Sequence, residues 1–216
     1  MDKDIQLLPM AITQVDAQTA CVAGLSRSGQ WIRPENVPID MVDSKKPLFC
    51  YHKRTRISVD DSTAGDARIE DRRFVVCPDF EDELLDPESR KHIIQHNLDD
   101  SVDSAFAGER SVGLIHAHMD RMYFKRATGG RRFLRAVFSD DTEAQYDWIV
   151  PELEISRRLN SSIDHGRSDE ISESLDCSAI LTDTIYLCVS LTKPNNRFPG
   201  KFRGCHPLVV GIHAFP

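Results

Sequence analysis

Between residues 121 and 138 cations alternate with aromatic rings, and that spacing can do chemistry. Successive side chains of an extended strand point to opposite faces, so Arg121, Tyr123 and Lys125 share one face. On the next stretch Leu134, Ala136 and Phe138 share an apolar face, which leaves Arg131, Phe133 and Arg135 on the other. Rings that stack on bases, set among charges that meet phosphates, are what a single-stranded nucleic acid requires. The plainer alternative is an exposed sheet face whose long stems cover apolar surface. A second basic stretch lies at 193–204. There Lys193, Arg197, Lys201 and Arg203 stand among Pro194, Phe198, Pro199 and Phe202 with no acid between them. Four such cations could hold a phosphate or a short length of backbone, and a solvated basic loop is the alternative.

Trp31 and Arg33 share a face of an early hairpin. Arg33 could clamp an anion while Trp31 stacks on a base. Equally, Trp31 could be core, with Arg33 paired to Glu70 or Asp71. Cys50 with His52, and His116 with His118, each offer two metal donors on one strand face, short of the four a structural zinc site wants. Neither a metal nor another cofactor is expected. Ser190, Thr192, His206 and the acidic run Glu81-Asp82-Glu83 lie in no nucleophile elbow, phosphate loop or metalloprotease helix. The acidic run reads as a solvated approach to a helix, and no residue is assigned a catalytic role.

The elements that must position these groups are mostly strands. Alternating patterns punctuated by turn residues predict strands over 9–14, 19–25, 30–33, 48–52, 54–59, 73–77, 111–117, 121–126, 131–138, 146–150, 180–191 and 207–214. Pro34 is expected to stop the third of these. One substantial helix is predicted near 86–107: Asp86 caps it, Pro87 suits its first turn, and Ile93, Ile94, Leu98, Val102 and Phe106 recur at helical spacing. A short helix through Leu159 and an exposed polar excursion over 160–177 follow. The fold class is thus mostly β, a β-rich α+β arrangement. Two small barrels joined by one linking helix are expected, the first over 1–108 and the second over 109–216, since closing short strands into barrels removes exposed edges.

Composition bounds the function. With 40% hydrophobic and 28% charged residues the balance is that of a globular chain. No apolar run reaches the ~18 residues of a membrane span, and the N-terminus lacks the pattern of a signal peptide. Six scattered cysteines without a C-x-x-C pair fit free thiols in a reducing compartment, so cytoplasmic residence is expected. Residues 1–108 hold 13 Lys/Arg against 20 Asp/Glu, a net of −7, whereas residues 109–216 hold 14 of each. A non-specific duplex binder is usually basic overall, so any polyanion site must be a local patch, and single strands, nucleotides or a protein partner fit better.

Three segments together carry a family resemblance. They are Cys21-Val22-Ala23-Gly24 followed by Gly29-Gln30-Trp31-Ile32-Arg33-Pro34; Ala67-Arg68-Ile69-Glu70-Asp71-Arg72; and Leu187-Cys188-Val189-Ser190-Leu191-Thr192-Lys193-Pro194 with the late His206-Pro207-Leu208-Val209-Val210-Gly211-Ile212. The chain resembles the bacterial dual OB-containing domain family over nearly its whole length, the early hairpin being the most specific part. The resemblance implies two OB-like folds and a nucleic-acid or nucleotide binding role within bacterial conflict systems. Fold does not establish function. Two alternatives therefore stand beside it: an enzyme acting on a nucleotide or nucleic acid through His206 and the Glu70/Asp71 pair, and a scaffold for a protein partner.

Overall fold

The structure, a computed structural model, describes residues 2–60, 68–75, 83–126, 132–157, 184–194 and 202–216. The chain is mostly β and divides into two compact units. One comprises Met1–Asn97 with Phe106–Val112, the other Leu98–Ala105 with Gly113–Pro216.

The first unit is built on β1 (Asp2–Gln14), β2 (Thr19–Ser26), β3 (Trp31–Glu35), β4 (Val37–Pro38), β5 (Lys53–Asp60), β6 (Asp71–Val75) and β7 (Glu83–Leu84). β1 is long enough to serve two neighbours. Its first half, Asp2 to Leu7, pairs with β5, and Leu7 to Gln14 pairs with β2. A bulge between Pro9 and Ala11 lets the strand turn between these partners. Gly24 faces that bulge, and a Cβ there would stand 2.3 Å from the Leu8 carbonyl oxygen, so only glycine admits the close approach. The pairings β1–β2–β3–β6–β5–β1 close a ring in which only β3 and β6 run parallel. Leu8, Met10, Val22, Phe49, Ile57 and Val59 fill its core.

Pro34 does not stop β3, which runs on to Glu35. β2 pairs with β3 only at Ile32 and Trp31, so the N–H that Pro34 lacks falls where no partner strand asks for it. The stretch 48–52 forms turns rather than a strand.

The predicted helix over 86–107 is two pieces. α1 (Pro87–His96) starts as expected, with the Asp86 carboxylate accepting from the Ser89 N–H at 2.8 Å. It ends at Asn97, whose side-chain amide donates to the Ile93 carbonyl at 2.7 Å. The chain then bridges in parallel to Ile115 through Asp99 before α2 (Val102–Ala105). Ile94, Val102, Ala105 and Phe106 are all buried, which is why the helical period survives a break in the helix itself.

The second unit is built on β8 (Val112–Arg126), β9 (Arg132–Ser139), β10 (Gln145–Ile149), β11 (Thr184–Leu191) and β12 (Pro207–Phe215), with a helical turn at 153–157. They close as β8–β9–β10–β12–β11–β8, and β10 meets β12 in parallel at Ile149 and Leu208. Ile115, Leu134, Ala136, Phe138, Leu187, Val189 and Val209 line the core, with Trp148 edge-on to Phe138 at 5.5 Å. The segments predicted at 111–117 and 121–126 are one strand, β8, interrupted by a bulge between Met119 and Arg121. Before the bulge Ala117 points inward and the even-numbered His116 and His118 do not. After it Met122 and Phe124 are buried and the odd-numbered residues face out. One extra residue thus reverses the parity of the strand.

The excursion 160–177, the turn Thr128–Gly130, and Cys77 and Cys177 lie outside the described residues. Cys21, Cys50, Cys188 and Cys205 are free thiols.

Candidate nucleic-acid interface

The cationic face sits on the outside of the second ring. The register opposes Arg121 to Val137, Tyr123 to Arg135 and Lys125 to Phe133. These six residues therefore form one cross-strand ladder. Met122, Phe124, Leu134, Ala136 and Phe138 go to the core, as the alternation required. Arg121 and Lys125 are exposed; Tyr123, Phe133 and Arg135 are half-buried. The Arg121 guanidinium lies over the Tyr123 ring, 5.3 Å from its centroid.

Asp147, which no sequence argument singled out, organises this face. It projects outward from β10, next to β9, because Tyr146 and Trp148 turn toward the core side. The Tyr123 hydroxyl donates to its Oδ2 at 2.7 Å, and Arg135 Nε donates to its Oδ1 at 2.8 Å. Arg135 Nη2 also donates to the Asp147 backbone carbonyl. Burial pushes the Asp147 carboxyl up, but the bonds from Arg135 and Tyr123 outweigh it and the net shift is downward. The Tyr123 phenol is pushed up, first by burial and then by Asp147. Tyr123 and Arg135 are thereby pre-positioned. Arg135 has its charge matched at short range, while Arg121 and Lys125 carry the outward field. The signal for Asp147 was present in the alternation of 145–149, but its meaning depends on which strand β10 neighbours.

His206 belongs to the same unit. Its backbone N–H donates to Thr192 Oγ1 at 2.8 Å and its carbonyl accepts from the Thr192 N–H at 3.0 Å, closing the base of the 193–205 connection. Burial, and then the Arg135 charge, hold its imidazole below the usual histidine value. Within that connection Phe202 packs edge-on to Trp148 at 6.0 Å, so this ring is committed to the protein. Lys193 is exposed, Arg203 takes a left-handed backbone conformation with φ 54°, and Arg131, Arg197 and Lys201 lie outside the described residues.

The anion clamp at Trp31 and Arg33 is corrected. Both residues are buried, Arg33 to 1% exposure. Arg33 Nη1 meets Asp71 Oδ1 at 2.9 Å, and both terminal nitrogens donate to Ser111 Oγ at 3.0 Å. Ser111 in turn donates from its N–H and its hydroxyl to the two carboxylate oxygens of Glu70, each at 2.8 Å. Arg68 Nε holds the other Asp71 oxygen at 2.9 Å. The buried charges thus saturate one another, and Arg33 has no face open to a ligand. The same bonds commit Glu70 and Asp71, which the enzyme alternative needs as acid–base groups, to structure. They also belong to the first unit, whereas His206 belongs to the second.

Cys50 Sγ and His52 Nε2 stand 3.7 Å apart, with no third metal donor joining them among the described residues. No helix among the described residues is long and apolar enough to cross a membrane. No protein-family model matches the chain, and no curated protein matches it either.

Truncating Phe133 or Tyr123 separates stacking from packing. Each change to alanine is expected to weaken single-strand binding by about 1–3 kcal/mol. Because both rings are half-buried, the loss of stability should exceed the ~0.5 kcal/mol of open surface yet stay below the ~3–5 kcal/mol of a core aromatic. Parallel binding and urea-unfolding curves check this. Undiminished binding in both variants would move the site off this face.

Proposed function

We propose that both rings are OB folds and that the chain is a nucleic-acid or nucleotide binding module, favouring single strands over duplex. The observation that carries this is the strand order. Numbering each ring from its own first strand, both run 1-2-3-5-4-1 with strands 3 and 5 parallel, the order of the five-stranded Greek-key barrel that binds oligonucleotides. OB folds receive their ligand on the face of strands 2 and 3, flanked by the loops joining strands 1–2 and 4–5. In the second ring strands 2 and 3 are β9 and β10, which carry Phe133, Arg135 and Asp147. In sequence, Arg131 falls between strands 1 and 2, and Lys193, Arg197, Lys201 and Arg203 fall between strands 4 and 5. Of the first basic stretch, Arg121, Tyr123 and Lys125 stand on strand 1 and face Phe133 and Arg135 on strand 2, which puts them beside the proposed ligand face. The near-neutral charge of residues 109–216, beside the acidic 1–108 half, supports a local patch over a duplex-wide field. The motif resemblance to the bacterial dual OB-containing domain family, and to a role in conflict systems, points the same way.

Fluorescence polarisation with single-stranded DNA, single-stranded RNA, duplex and mononucleotides across salt tests the reading. Binding of a single strand should weaken steeply with salt. Lys125→Ala and Arg121→Ala should each lower the log–log slope by about 0.7, the value for one phosphate contact on a single strand. Arg135→Ala should lower it less, because Asp147 already matches that charge. A salt-independent affinity, or tighter binding of duplex than of single strands, would overturn the proposal.

A further inference from the structure

Upstream of its bulge, β8 presents a different chemistry. His116 and His118 lie on either side of buried Ala117 and so share the outer face of the strand. β8 pairs with β9 so that His118 opposes Ser139. Continuing that antiparallel register by two residues brings position 141 opposite His116. Asp141 leaves β9 at this point in a tight turn. The Glu143 N–H donates to the Asp140 carbonyl at 2.9 Å, the Asp140 N–H donates to the Ala144 carbonyl at 3.3 Å, and Glu143 holds φ at 63°. The Asp140 side chain, 1% exposed, locks the turn by accepting from the Val102 N–H, from the Thr142 N–H and hydroxyl, and from the Tyr146 hydroxyl.

The result is a convergence of three donor atoms from two rigid, adjacent elements. Asp141 Oδ1 stands 2.7 Å from His116 Nδ1 and 3.3 Å from His118 Nε2, and all three donors lie within 4.8 Å of one another. Around a metal with bonds of about 2.0–2.2 Å, neighbouring ligand atoms sit roughly 2.8–3.5 Å apart. Both nitrogen–oxygen separations are therefore close to an edge of such a polyhedron, and the two nitrogens, within 4.8 Å of each other, need only be drawn together by ring rotation. The His116 ring is backed by buried Tyr186 at 5.8 Å and meets the His118 ring edge-on at 4.8 Å. The His118 side chain is 63% exposed and free to make that rotation. Asp141, at 54% exposure, leaves the outer side open to solvent.

We infer that His116, His118 and Asp141 bind one divalent transition-metal ion of the zinc, cobalt or nickel class. Two imidazoles select such ions over magnesium and calcium, which take oxygen ligands. Three protein ligands leave positions for water or for an anionic oxygen, as open metal sites do. This site is independent of the nucleic-acid reading, which uses the residues beyond the bulge.

The test is titration of the full, untagged chain with Co²⁺ and Zn²⁺ after chelator treatment. The expected result is one equivalent bound per chain, with visible cobalt d–d bands and no thiolate charge-transfer band. His118→Ala and Asp141→Asn should each weaken binding at least about tenfold, and Cys50→Ala should leave it unchanged. Because both altered side chains are largely exposed, metal-free unfolding midpoints should stay near that of the wild type, which guards against loss of fold. Absence of one-equivalent binding, full affinity in both ligand variants, or a thiolate band lost in Cys50→Ala would each overturn the inference, the last by moving the ion to Cys50 and His52.

Discussion

Arg33→Ala is expected to destabilise the first unit by about 3–5 kcal/mol, the cost of removing one partner from a buried ion pair. The guanidinium is 1% exposed and bonds Asp71 and Ser111, and Ser111 passes the connection to Glu70. Its loss leaves a cavity beside Ser111 and strips Asp71 of a buried counter-charge. Arg68 still holds the other Asp71 oxygen, which puts the expectation toward the lower end of the range. Ser111→Ala should cost less, about 1–3 kcal/mol, since it orphans neutral and charged hydrogen bonds without removing a charge. The joint replacement Arg33→Met with Asp71→Leu should recover much of the loss, because apolar groups of similar volume often match a buried pair in stability. Denaturant unfolding of the three variants decides. An Arg33→Ala chain as stable as the wild type would mean that this network does not hold the fold together, and the case for Arg33 as a ligand clamp would return.

Asp140→Ala should cost the second unit about 2–4 kcal/mol. The carboxylate accepts four hydrogen bonds, and bonds to a charged group contribute about 1.5–3 kcal/mol each, partly offset by the cost of burying the charge. These bonds also shape the pH dependence. Burial pushes the Asp140 carboxyl up, while bonds from Thr142, the Val102 N–H and Tyr146 push it down and prevail. A carboxyl lowered in the folded state binds its proton more readily when unfolded. Its contribution is therefore complete above the unfolded value of about 3.9 and is lost as pH falls through the lower folded value. Asp140→Asn removes the titrating group, so the stability gap between wild type and this variant should be widest at neutral pH and narrow below about pH 3.9. Urea midpoints at several pH values measure it. A gap that stays constant into acid would show that the Asp140 charge is not what the turn depends on. Asp140→Ala should also loosen the turn that carries Asp141, and so weaken Co²⁺ binding without touching a ligand.

How far each feature was legible depends on the range of the physics behind it. The strand-rich character, the Asp86 cap of α1 and the outward set Arg121, Tyr123, Lys125, Phe133 and Arg135 are local properties. They follow from side-chain parity and backbone propensity within a few residues, and the sequence by itself determined them. The break in the helix at Asn97 was not legible, because burial continues at helical spacing through Val102 and Phe106 while the backbone does not. Nor could local pattern decide whether Trp31 and Arg33 face solvent. That depends on β6 lying parallel beside β3 and bringing Asp71 against Arg33.

The tertiary structure alone decided the remainder. The bulge in β8 reverses which residues face out, so His116 and His118 share the outer face with Tyr123 although their parities differ. The register of β10 on β9, and of β9 on β8, brings Asp147 to Tyr123 and Arg135. The register of β9 against β8 carries Asp141 to the two histidines. Parity is set residue by residue along the chain. Register and closure are set by which distant strands bury their apolar faces together, and that is a property of the whole barrel rather than of any window of sequence.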